Sequence, residues 1–73
     1  MDKEIKINIL ENAIRTEKTA IPDFRARIEG ERKRNRDWSV TAIRGYEHAI
    51  EKCTYLIEVY EHALKELKEN KDG

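Results

Sequence analysis

The sequence predicts an all-α fold, an antiparallel helical hairpin with coiled-coil-like packing, and three observations carry that expectation. Apolar residues recur every seven positions in both halves, a basic polar segment separates the halves, and the two registers interlock when the chain turns back on itself. At 73 residues there is material for one domain, residues 1–73.

The first helix is expected from about residue 2 to residue 29. Ile7, Ile14, Ile21 and Ile28 stand at sevens (position a), Leu10 and Phe24 follow at d, and Ala13 and Ala20 fall at g. Such spacing gathers apolar side chains into one stripe along a helix. The phase runs unbroken through Pro22. A proline there removes one backbone hydrogen bond and crowds the preceding turn, at about 3 kcal/mol, so a kink is expected at Pro22. A true break near Thr19–Ile21, with Pro22 opening a third helix, is the alternative.

Residues 30–37 are expected to form the turn. Gly30 suits a helix C-cap, and Asp37 or Ser39 suits the N-cap of the second helix. That helix is expected over about 38–69. There Ile43, Ile50, Ile57 and Leu64 take position a, Tyr46, Cys53, Tyr60 and Leu67 take d, and Ala42, Ala49, Leu56 and Ala63 take g. Four consecutive heptads are a strong helix signal. Folding about the basic segment sets residue i opposite roughly 67−i, pairing Ile7 with Tyr60, Ile14 with Cys53 and Phe24 with Ile43. Each is an a-to-d pairing, the way antiparallel helices interlock.

Some residues do not fit the seam. Ile5, Ile9, Tyr55 and Val59 point away from it, and the 67−i relation gathers all four near the chain termini, where they are the predicted oligomer interface. A domain this small, without disulfides or metal, is expected to need self-association for stability. Glu17 occupies a d position opposite Ile50. There it either escapes beside the Pro22 kink to water or a basic group, or acts as a polar specifier of register or part of a ligand pocket.

Composition excludes several function classes. Charged residues make up 41% and hydrophobic residues 38%, and no apolar run exceeds three residues against the roughly 20 needed to span a bilayer. No leader is expected, since Met1-Asp2-Lys3-Glu4 opens into charged sequence, and a cytoplasmic location is the expectation. One cysteine, Cys53, allows no intrachain disulfide. Net charge is zero but segregated: residues 25–36 hold six basic against two acidic side chains, and residues 46–73 hold seven acids against four lysines. That pattern points to one anion-attracting patch rather than to coating of nucleic acid.

Candidate chemistry is sparse. His48 and His62 lie fourteen residues apart, so roughly 21 Å separates them along a helix and one metal cannot use both. Cys53 on the seam reads as core packing and Ser39 as a cap. With no phosphate loop, nucleophile motif or paired-carboxylate site, neither catalysis nor a cofactor is expected. The informative residues are Arg32, Lys33, Arg34, Arg36 and Trp38, four cations and the single tryptophan at a helix start. Helix N-termini and arginine favour phosphates, and tryptophan offers a base a stacking face, so these five form a candidate nucleotide site. The alternative is a solvated turn with Trp38 packed on Ile28 or Phe24.

From Arg36 to Cys53 the chain resembles the helical-hairpin domain of phage-encoded nucleotide sponges, which inhibit CBASS and Thoeris immunity. The matching residues are Arg36, Trp38, Ala42, Tyr46, Glu47, Ala49, Ile50 and Cys53; Arg44 stands where the family has a threonine, and Ile50 where it has an aromatic residue. The resemblance implies a phage protein that oligomerises and sequesters cyclic nucleotide messengers without cleaving them. The other reading of the sequence is a helical protein-interaction module or inhibitor, working through its acidic face or its apolar end.

Overall fold

The computed structural model describes residues 2–70. Two long helices account for nearly all of them: α1 (Asp2–Arg34) and α2 (Ser39–Glu69), packed antiparallel along their length. No strand occurs among the described residues.

Helix α1 continues through Pro22, which excludes the three-helix alternative. Pro22 sits on the exposed surface, where its missing N–H and bulky ring do not disturb the packed seam. The helix also runs past Gly30 for another four residues. Gly30 therefore does not cap it. The left-handed residue that ends α1 is Asn35 (φ 48°), whose N–H still reaches the Glu31 carbonyl at 3.0 Å. Asparagine tolerates this conformation better than other residues with a side chain. At the start of α2, Trp38 holds the N-cap position with no side-chain cap. Neither Asp37 nor Ser39 serves as the expected cap. Instead the Ser39 N–H donates to the Arg36 carbonyl at 2.9 Å and the Ala42 N–H to the Trp38 carbonyl at 3.0 Å. The turn is thus shorter than expected, residues 35–38 alone.

That longer first helix changes how the partners align. Lys18 pairs with Glu61 and Lys68 with Glu11, each at 3.5 Å; Arg27 and Phe24 both meet the Tyr46 ring; and the Lys3 ammonium donates to the Asn70 carbonyl. These contacts set residue i opposite roughly 74−i, one full heptad from the 67−i expectation. A seven-residue repeat cannot tell the two apart, because both bring a positions against d positions. The length of the turn decides.

The heptad stripe itself holds. Every apolar a, d and g residue named from the sequence is buried or half-buried, whereas Ile5, Ile9, Tyr55 and Val59 are exposed. Yet among the described residues only Ile14, Ile28 and Cys53 are buried apolar side chains, at 9%, 7% and 6% exposure. Two helices side by side enclose nothing fully. The radius of gyration is 16.7 Å, where a compact domain of this length would have about 11 Å.

Candidate functional site: the polar turn and two unlike faces

The turn is organised by Glu31, a residue that the sequence pattern alone assigns to the linker. Continuing the heptads past Gly30 puts Glu31 at d, and extending those of α2 backwards puts Ser39 at d. The two therefore meet on the seam, each 4% exposed. Glu31 accepts a hydrogen bond from Ser39 Oγ at 2.9 Å, from Arg36 Nη2 at 2.5 Å and from Arg34 Nη1 at 3.1 Å. Ser39 Oγ in turn accepts from the Arg36 backbone N–H at 2.8 Å. The Arg36 and Ser39 bonds hold the Glu31 carboxyl down from its ordinary 4.5 to about 2, overriding the opposing effect of burial. Extending the heptad phase across Gly30 is the signal that would have found this cluster.

This geometry divides the five predicted ligand residues. Arg34 and Arg36 are committed to Glu31. The Arg36 guanidinium also lies 4.6 Å from the centre of the Trp38 ring, a cation–π contact. Trp38 remains 57% exposed rather than folded onto the seam, and Phe24 packs against Tyr46. Arg32 and Lys33 are exposed and make no hydrogen bond or ion pair among the described residues. The turn thus presents two uncommitted cations and an exposed, arginine-backed indole. Two further cations, Arg34 and Arg36, share the single negative charge of Glu31.

The remaining candidates behave as ordinary helix residues. Glu17 lies beside Cys53, not opposite Ile50; burial first, and that carboxylate second, push the Cys53 thiol up. A raised thiol is a poor nucleophile, as core packing requires. His62 pairs with Glu66 at 3.1 Å on the exposed surface. No group of three His, Cys, Asp or Glu suited to a metal occurs among the described residues. No described helix is long and apolar enough to cross a membrane.

The long sides of the hairpin differ. On one, the e positions of the two helices face each other, and the Lys18–Glu61 and Lys68–Glu11 pairs bridge the seam. On the other, the g positions meet, and alanines dominate. Near the termini this alanine side opens into a groove of about 500 Å³ lined by Ile9, Leu10, Ala63 and Leu67 with Lys6 and Glu66 at its rim. The 74−i relation separates the four predicted interface residues into two pairs. Ile5 and Ile9 lie level with about residue 67, and Tyr55 and Val59 sit roughly 15 Å further along. Ile9 and Val59 flank the alanine side, whereas Ile5 and Tyr55 face outward from the backs of their helices. Compared with known proteins, the chain matches no family, no curated protein and no solved structure.

Proposed function

We propose that this chain is a non-enzymatic binding protein that works as a self-associated assembly of hairpins. The observation that supports it is surface. The hairpin exposes 5907 Å², against roughly 4,700 Å² for a compact protein of its mass. Part of that surface is large apolar side chains, Ile5, Ile9, Tyr55 and Val59 among them. A bend of α1 at Pro22 belongs to the same reading, curving the hairpin around what it packs on. Light scattering tests it: a dimer or larger species is expected at micromolar concentration, and a stable 8.7 kDa monomer overturns it.

The ligand we propose is a cyclic nucleotide messenger, sequestered intact in the cytoplasm of a phage-infected cell, as the resemblance implies. Two observations support it: Trp38 is exposed at the turn, and Arg32 and Lys33 are exposed, uncommitted cations in the last turn of α1. Phosphate would take the cations and a base would stack on the indole. The informative variants are Arg32→Ala and Lys33→Ala, because they leave the Glu31 cluster in place. Each should weaken binding by about 1–3 kcal/mol in calorimetry, as should Trp38→Ala. A nucleotide mixture incubated with the protein should yield an intact ligand on heat release. No binding of cyclic di- or trinucleotides or ADP-ribose derivatives by the folded parent would exclude the sponge. A protein partner for the acidic face or apolar end then becomes the reading to pursue.

A further inference from the structure

The two interior glycines have no purpose within the hairpin. Gly30 and Gly45 both lie inside helices, with ordinary negative φ, and a Cβ at either would meet nothing within 4 Å. Glycine is the poorest helix former apart from proline, so an interior glycine weakens its helix unless something must come close. Nothing in this chain does. Both glycines occupy c positions, on the rim of the alanine side, and the 74−i relation sets them level with each other. Together they form a shallow notch near the turn.

On the same side, also at c, Ile9 stands near the termini and Val59 closer to the middle, 62% and 60% exposed. Ile9 thus projects near the termini and the notch lies near the turn, with the exposed Trp38 at the next c position beyond it. Charge has the same polarity. Arg27, Arg34 and Lys52, with Asp23 among them, lie on this side in the half towards the turn; Asp2 and Glu66, with Lys6 between them, lie towards the termini. A two-fold axis through the middle, near Ala20 and Leu56, carries each end onto its complement. The surface in excess of a compact protein, roughly 1,200 Å², exceeds the roughly 800 Å² that each partner buries in a standard interface.

We propose that a second copy of this chain docks antiparallel on the alanine side, seating Ile9 of each copy against the Gly30–Gly45 notch of the other, with the two Val59 side chains nearer the two-fold axis. The result is a four-helix arrangement with the ion-paired sides facing outward. This rests on the self-association proposed for the chain and names the face that serves it. The alanines let the helices approach, and the glycines receive the knobs.

The test is sedimentation equilibrium of the full chain beside the double variant Gly30→Leu/Gly45→Leu. Thr54→Leu, on the exposed ion-paired side, is the control. Filling the notch should raise the dimer dissociation constant at least tenfold (about 1.4 kcal/mol), with helical circular dichroism undiminished, and the control should leave it unchanged. Energy transfer between mixed copies checks direction. A donor on Asn12→Cys should transfer more strongly to an acceptor on Lys33→Cys than to one on Asn12→Cys. A monomeric parent overturns self-association itself. A dimeric parent whose glycine variant dimerises equally tightly overturns the docking face alone, and transfer strongest between like positions overturns the antiparallel arrangement.

Discussion

The two ends of this hairpin are held by different physics. At the turn, a buried carboxylate gathers a serine and two arginines, and Ile28 nearby is a buried apolar side chain. At the termini, Leu10 and Leu67 are only half-buried beside an open groove, and Lys3 closes on the Asn70 carbonyl in water. The apolar seam runs through both and supplies the adhesion. It does not supply the alignment, because sliding one helix by a heptad offers the seam equivalent partners. The polar cluster has no such freedom: Glu31 can meet Ser39 in one register only. Adhesion is spread along the rod, and specification is concentrated at one end of it.

The substitution with the largest expected effect attacks what both ends share. Ile14→Asp puts a carboxylate at a buried seam position and should cost about 3 kcal/mol or more, enough to abolish the helical circular dichroism signal of so small a domain. A folded Ile14→Asp protein would mean that the seam is not the adhesive.

Ser39→Ala separates the ends. It removes a buried donor to Glu31 and the acceptor for the Arg36 N–H, so a loss of about 1–2 kcal/mol is expected in urea unfolding. A matching truncation of the solvated polar contact at the other end, Lys3→Ala, should be close to silent. Equal losses from the two would remove the contrast between the ends.

Acid should act on the turn first. Because the Glu31 carboxyl is held at about 2 in the folded chain against an ordinary 4.5, its contribution is fully present above pH 4.5 and is lost as pH falls through 2. Monitored by circular dichroism, Glu31→Gln should be less stable than the parent at neutral pH and should lose less on acidification across that interval. Parallel acid profiles would place the titrating group elsewhere.

The smallest effect is expected of Glu11→Lys. It breaks the exposed 3.5 Å pair with Lys68 on the ion-paired side, and should change stability by about 0.5 kcal/mol or less.

Much of this was legible in the sequence, and the failures share a cause. Repeats at seven announced both helices, their antiparallel packing and the exposure of Ile5, Ile9, Tyr55 and Val59, because burial tracks helical periodicity directly. Gly30 misled, since a glycine beside a run of cations looks like a helix end. Helix α1 continues because the seam phase continues, and Glu31 on that phase finds Ser39. The misplaced end produced the heptad error, the placement of Glu17 opposite Ile50, and the gathering of four apolar residues at one level. Among the site residues, charge was legible but commitment was not. Nothing local in the string Arg32-Lys33-Arg34-Asn35-Arg36 says that Arg34 and Arg36 bond to Glu31 while Arg32 and Lys33 do not.

The four-residue turn also orders events in time. Closing so short a loop costs little chain entropy, and the contacts it enables are local in sequence, the kind that forms early. Glu31 and Ser39 are eight residues apart, whereas Lys3 and Asn70 are separated by 67. The chain is therefore built to zip from the turn towards its ends, with the register chosen at the first step rather than searched for along the seam. Substitutions in the turn should slow folding, and those near the termini should chiefly hasten unfolding. The lone tryptophan, with Arg36 against its ring, sits where the zipping starts, so its fluorescence would report the nucleus and not the finished rod.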